Sequence, residues 1–312
     1  MKGIRVVVVG DVILDEYIWG NATRISREAP VPIVEVQEVT WRCGGAANAA
    51  ANVVSLGGEA RLFGLVGEDR EAERLGACLR ELGVETGGVV CVGRPTTVKT
   101  RVIAQNQQVV RFDRMAKDAL PPEQAQELQA SVLESVGESD AVIFSDYDGG
   151  VICADLAEAV LARAAGKVVT VDPKPNNMGI FRGATLISPN VLEAATATGI
   201  NVRTEEDVEL VGQRILEMAG PKYLLMTRGE RGMSLFQGGK KPVHVPAVAS
   251  EVYDATGAGD TVIACATLAL AAGASLLEAA TLANHAASIV VRRVGTAQAA
   301  PEELAESLVE GS

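Results

Sequence analysis

Ile4-Arg5-Val6-Val7-Val8-Val9-Gly10-Asp11 is an almost unbroken β-branched run that ends on a glycine and a carboxylate. A strand covered on one face alternates apolar and polar residues. A continuous Val/Ile run instead belongs to a parallel strand buried on both faces. Similar runs recur at 60–66, 141–144, 168–171, 185–187 and 223–227. Helical periodicity fills the intervals near 45–57, 69–82, 122–136, 153–165, 190–198 and 204–219, and returns at 259–272 and 276–292. Strand alternating with helix predicts an α/β fold, a doubly wound and mostly parallel sheet with helices on both faces. Residues 12–42 and 96–113 break that rhythm with alternating, partly polar β patterns such as Pro32-Ile33-Val34-Glu35-Val36. They predict one small sheet set apart from the main one, a lid over its ligand edge. Without internal repeats or low-complexity tracts, residues 1–312 are expected to form one domain.

The balance of charge is acidic, 40 Asp+Glu against 28 Lys+Arg for a net charge of -12, and no long basic cluster interrupts it. That argues against a nucleic-acid or anionic-membrane partner. Five scattered cysteines, none in a C-x-x-C pair, fit a reducing cytoplasm better than a disulfide framework or a zinc site. Strand residues begin directly after the N-terminus, so no signal peptide is expected, and the Ala-rich run after Thr261 is too short to span a bilayer. His244 and His285, the only histidines, stand beside no nucleophile, so proton transfer would fall to carboxylates.

In a doubly wound sheet, ligands bind beyond the carboxyl ends of the strands. Asp11, Asp146, Asp172, Lys174, Asn190, Arg228 and Gly229 all follow strand runs and collect on that edge. The heptad Asp254-Ala255-Thr256-Gly257-Ala258-Gly259-Asp260 precedes a long apolar helix. Its small residues let the N–H groups of Gly257, Ala258 and Gly259 converge on an anion at a helix N-terminus. Asp260 stands at the same point. A carboxylate inside an anion cradle suits phosphoryl transfer to a hydroxyl, which the carboxylate orients and deprotonates. The same residues also read as a Gly-rich turn with an acid favourable to the helix dipole.

Other motifs carry similar double readings. Gly44-Gly45-Ala46-Ala47-Asn48 opens a helix, lets a ligand approach the backbone and offers Asn48 to a polyol, or is a packed helix start. Asp11 and Asp15 could accept bonds from sugar hydroxyls, or be ordinary loop acids. Asn190 and Glu193 share a helix face and could approach a hydrated Mg²⁺, while also matching a capping box. Lys99 and Arg101 fall on one face of a lid strand, with Asn106 just beyond, and could hold a substrate phosphate or protect an exposed sheet edge.

Together these residues resemble the ribokinase-like (PfkB) carbohydrate kinases. Residues 44–50 with Gly57 and Gly67 are similar to that family's N-terminal signature, and 254–260 to its C-terminal one. A nearer resemblance, to the D-glycero-β-D-manno-heptose-7-phosphate kinases, lies in Gly10-Asp11-Val12-Ile13-Leu14-Asp15, in 24–32, in Asn106-Gln107-Gln108, in Ser145-Asp146-Tyr147, in Asp172-Pro173-Lys174 and in 251–254. The chain departs from those kinases at Asp148-Gly149-Gly150, where they carry Lys-Gly, and at the turn after Lys174.

The resemblance implies a three-layer α/β/α kinase that uses ATP and Mg²⁺, with no nucleotidyltransferase domain expected after Ser312. It implies Asp260 as base; Asn190 and Glu193 at Mg²⁺ and the nucleotide phosphates; Lys174, Thr227, Gly229 and Thr256 along the nucleotide; and Asn284 near adenine. Asp254 and Thr256 would meet a monovalent cation such as K⁺. Asp11, Asp15, Gly44, Gly45, Asn48 and Asp146 would hold the sugar, and Lys99, Arg101 and Asn106 its distal phosphate. The lid of such kinases clasps a twin, which implies a homodimer. Another sugar or sugar-phosphate kinase of the same fold, and a catalytically silent sugar- or nucleotide-binding regulator, stay open beside this reading.

Overall fold

The computed structural model describes residues 1–105, 107–116, 120–248 and 252–310. In chain order, strands β1 to β13 are Arg5–Gly10, Val12–Ile25, Pro32–Gly45, Glu59–Gly67, Glu85–Val92, Thr97–Ala104, Gln107–Arg114, Ala141–Ser145, Val168–Asp172, Leu186–Ile187, Tyr223–Thr227, Met233–Phe236 and Val243–Val245. Helices α1 to α9 are Ala46–Ser55, Arg70–Glu81, Pro122–Glu138, Ala154–Arg163, Val191–Thr198, Glu205–Ala219, Ala258–Ala271, Leu276–Val290 and Pro301–Glu310.

The main sheet runs β13-β12-β11-β10-β9-β8-β1-β4-β5, parallel throughout except for the antiparallel edge strands β12 and β13. The β1 run packs as its composition dictates. Val6 and Val8 enter a core shared with α1, α7 and α8, and Val7 and Val9 enter a second core under α3, α4 and α6. Alternate residues of one strand thus bury into opposite helix layers, which is why no polar alternation was available to it. Strand β1 pairs with β4 on one side and β8 on the other, so the chain reverses its direction of winding between β1 and β8. Asp11 and Asp146 lie at the carboxyl ends of these two strands, at the switch point where doubly wound sheets open a ligand crevice.

The interrupting segments form a separate sheet in the order β3-β2-β6-β7. Strand β2 leaves β1 directly after Asp11, and Val12 pairs with Gly45 at the foot of β3. That junction places the small sheet over the carboxyl edge of the main one. Its β7 strand is exposed along its length, with Val109, Val110 and Phe112 open to solvent, and Val36 on β3 is exposed as well.

Several elements differ from the sequence reading, strand β12 at Met233–Phe236 among them. Ahead of the heptad the chain forms a short edge strand at Val243–Val245, and residues 249–251 lie outside the described residues. Helix α9 carries a period too short to stand out until its apolar side meets the core at Leu304. Strand β5 was masked by Gly87 and Gly88; the second of these lies flat against the Phe63 ring, leaving no space for a side chain. Among the described residues, no helix is long and apolar enough to cross a membrane.

Candidate active site

Helix α7 starts where the heptad ends. Gly257 caps it in the left-handed region, at φ 81, and a Cβ there would meet Asn48 Nδ2 at 2.7 Å, so both conformation and space require glycine. The N–H of Ala258 closes the turn on the Ala255 carbonyl at 3.2 Å. Among the described residues, the N–H groups of Gly257 and Gly259 meet no acceptor, so of the three amides expected to converge on an anion two are open and the third is engaged.

Asp260, in the first turn of α7, is 2% exposed. Each of its oxygens receives one donor: Asn48 Nδ2 to Oδ2 at 2.8 Å and the Tyr147 hydroxyl to Oδ1 at 3.0 Å. Burial raises its pKa from 3.8 to about 6, while the bonds from Asn48 and Tyr147 pull it back down. A carboxyl in that range is mostly ionised at neutral pH yet basic enough to take a proton.

Asn48, read either as a sugar ligand or as part of a packed helix start, is packed. It has no exposed surface and cannot touch a sugar in this conformation. Its amide nitrogen holds Asp260, while its oxygen receives Asn52 and Gln298. Asp11 and Asp146, expected at the sugar, are engaged by backbone. Asp11 accepts the N–H groups of Tyr147, Gly149 and Val151 at 2.7, 3.0 and 3.3 Å. Asp146 accepts those of Asp148 and Lys174 and the side-chain amide of Asn177. Both carboxylates shape the loop after β8.

Asp15 and Arg101 form a buried ion pair across the parallel β2–β6 ladder, with side chains 4% and 6% exposed. Arg101 is thereby engaged, and the cation it was expected to offer a distal phosphate is neutralised. A Cβ on Gly44 would stand 2.3 Å from Asp15 Oδ2, which is why that strand end carries glycine. Gly45 adjoins it as the residue before α1. Lys99 points its ammonium at the Tyr147 ring, 4.6 Å from the centroid, and burial lowers its pKa. Asn106 lies outside the described residues.

Beside Asp260 a cleft of about 640 Å³ is lined by Tyr147, Lys174, Asn190, Glu193, Thr227 and Asn284, among others. That volume suits a nucleotide-sized ligand. Gly229 lines it too, in a left-handed turn with open space before it. Asn284 reaches this wall from α8 and is tied to the Pro246 carbonyl at 2.7 Å. Asn190 and Glu193 form the reciprocal cap of α5, and Lys174 Nζ pairs with Glu193 Oε1. At the far end of the heptad, Asp254 accepts the N–H groups of Thr256 and Gly295 at 2.9 and 2.8 Å. Asp172, at the end of β9, lines the same cleft; the sequence reading placed it on the ligand edge without giving it a role. Burial drives its pKa well up against the pull of Lys174, and Glu193, Asp260 and Asp146 add to the rise. Its place in the row of strand-end carboxylates was the available signal.

The pfkB family carbohydrate kinase model matches residues 4–303. The chain belongs to the pfkB family of carbohydrate kinases. As a PfkB protein it is a phosphotransferase acting on a sugar hydroxyl. Over 307 residues it is 44% identical to the bifunctional protein HldE of Desulfatibacillum aliphaticivorans, covering 97% of this chain and 63% of that one. The chain therefore spans less than two thirds of the length of this curated relative. Phosphofructokinase-2 from Escherichia coli, in complex with substrates and products, superposes with a TM-score of 0.82 at 20% identity over 99% of both chains. Arabidopsis thaliana ribokinase complexed with ribose and ATP gives 0.77 at 23% identity, again over 99% of each. At these identities the superpositions establish the ribokinase-like fold of this PfkB kinase.

Proposed function

We propose that this kinase transfers the γ-phosphoryl group of ATP to O1 of D-glycero-D-manno-heptose 7-phosphate, giving the 1,7-bisphosphate. The observation that carries the kinase chemistry is Asp260. It is a buried carboxyl with a raised pKa, oriented by two donors, beside the open N–H groups of an α-helix N-terminus and at the end of a nucleotide-sized cleft. The acceptor rests on the resemblance to the heptose-7-phosphate kinases along the chain, and the 44% identity with HldE supports it.

In this reading ATP lies along Lys174, Asn190, Thr227 and Gly229, with its adenine toward Asn284. The acceptor hydroxyl faces Asp260, which orients it and takes its proton as the phosphoryl group leaves ADP. A loose transition state needs alignment more than a strong base, and a clamped carboxylate supplies alignment. The N–H groups of Gly257 and Gly259 neutralise charge on the group in transfer. Asp15 and Gly44 border the sugar, and Lys99 is the cation available to its distal phosphate.

The residues around Mg²⁺ fit a hydrated ion. Asn190 and Glu193 already bond each other, Glu193 also pairs with Lys174, and no cluster of three or more His, Cys, Asp or Glu among the described residues makes a direct cage. Asp172 and Glu193 line the cleft together and are the carboxyl groups that could face a cation held through its waters. When bound, Mg²⁺ neutralises phosphate charge. Asp254 and Thr256 are the candidates for a monovalent cation such as K⁺. The exposed Val36, Val109, Val110 and Phe112 support a homodimer formed through the small sheet, which acts as lid over the sugar. A cytoplasmic location follows from the substrates.

Release of ADP, measured over a panel of heptose 7-phosphate, ribose, fructose and fructose 6-phosphate, tests the reading. Heptose 7-phosphate should give the highest kcat/KM. Turnover on another member alone would replace the acceptor, and turnover on none would remove the kinase assignment for this chain.

A further inference from the structure

The connection after β8 is pinned by two buried carboxylates. Asp11 takes three backbone N–H groups from residues 147–151, and Asp146 ties the same loop to Lys174 and Asn177. This anchoring delivers one side chain to the reaction centre, Tyr147. Its hydroxyl lies 3.0 Å from Asp260 Oδ1, and its ring stands against two ammoniums, Lys99 Nζ at 4.6 Å from the centroid and Lys174 Nζ at 4.9 Å. Lys99 belongs to the small sheet and Lys174 to the nucleotide cleft, so Tyr147 sits at the junction of the two substrate regions. A hydroxyl merely filling a gap would need neither the pinned backbone nor this placement.

We propose that Tyr147 is a positioning residue for Asp260: with Asn48 it places one donor on each carboxylate oxygen, which stops rotation of the carboxylate and keeps its remaining lone pairs in one direction. The inference rests on the reading of Asp260 as the base. The phenol can serve as donor across the working range, because burial and the facing Asp260 hold its pKa well above 10. The charged groups facing Asp260 from neighbouring elements are Asp15 on β2, Lys99 on β6 and Asp172 at the end of β9. Asp15 raises its proton affinity and Lys99 lowers it. Removing the hydroxyl takes away one donor that favours the ionised form, so Asp260 should keep its proton to higher pH.

The experiment is Tyr147→Phe, which keeps the ring and both cation–π contacts, assayed by ADP release from pH 5.5 to 9 as a single variant and in the Asp260→Asn background. The expected result is a kcat lowered about ten- to a hundredfold, a KM for ATP within about twofold, and an acid limb of kcat moved to higher pH. In the Asp260→Asn background, Tyr147→Phe should cost nothing further, since the group it positions has gone. Wild-type kcat with an unmoved acid limb, or a full additional loss on top of Asp260→Asn, overturns the inference. Asp260→Asn with undiminished turnover would instead sink the base assignment itself, so the two failures are distinguishable.

Discussion

Asp260→Asn replaces the buried carboxylate with a neutral group of the same shape, and the structure requires it to change activity and stability in opposite directions. Burial lifts the folded-state pKa from 3.8 to about 6. The native state therefore binds this proton more tightly than the unfolded chain. The associated stability is fully present below about pH 4 and is lost as pH rises through about 6. A shift of roughly two units corresponds to about 3 kcal/mol by which the ionised group burdens the fold at pH 7.5. Asparagine escapes that burden. Its oxygen can still accept from Asn48, and its nitrogen can donate to the Tyr147 oxygen, so both partners stay satisfied.

The variant should therefore be more stable than the wild type at pH 7.5, by about 1–3 kcal/mol after the cost of burying an amide. The gain should shrink toward zero at pH 4.5, where the wild-type carboxyl is itself protonated. Over the same range kcat should fall by about 10²–10⁴, with ATP affinity by equilibrium titration almost unchanged. Urea unfolding at the two pH values, together with ADP-release kinetics, measures all of this. A variant less stable than wild type at pH 7.5, or equally shifted at both pH values, would refute the account of Asp260 as a group strained by burial.

Gly257→Ala should destabilise by about 1–3 kcal/mol through its left-handed φ, and should lower kcat by pushing Asn48 away from Asp260; thermal unfolding and steady-state kinetics check both. Arg101→Met leaves the Asp15 carboxylate buried without its partner and should cost about 3–5 kcal/mol at pH 7, with the deficit smaller at pH 5, where Asp15 can take a proton; urea titrations at the two pH values decide it. Phe112→Asp, on the exposed face of β7, should turn a dimer into a monomer in sedimentation velocity at micromolar concentration, whereas an unchanged sedimentation coefficient would exclude that face as the interface.

Elements whose period is local and strong were legible. The runs at 141–144 and 223–227, and the helices at 70–81 and 205–219, lie within a residue or two of their expected bounds. Strand β5 and helix α9 were not, because a glycine pair and a short helix reveal their packing only where Gly88 meets the Phe63 ring and Leu304 enters the core. In the site, the heptad could be read as an anion cradle with a carboxylate because left-handed glycines and helix N-termini are local chemistry. The roles of the other polar residues were not legible. Asn48, Asp11 and Asp146 have side chains that suit a sugar, and no local signal says that packing has already given them protein donors.

The sequence by itself determined the doubly wound sheet, the small sheet inserted into it, and a carboxylate at the start of α7. Hydrophobic periodicity and backbone preference act over a few neighbouring residues, so a single chain displays them. Only the tertiary structure decided what that carboxylate is. Its two donors come from residues 212 and 113 positions away, and its proton affinity is set by how completely those elements exclude water. Hydrogen-bond partners within 3 Å and local dielectric are properties of packing, and packing is where Asp260 becomes the oriented, weakly basic group of the proposed transfer.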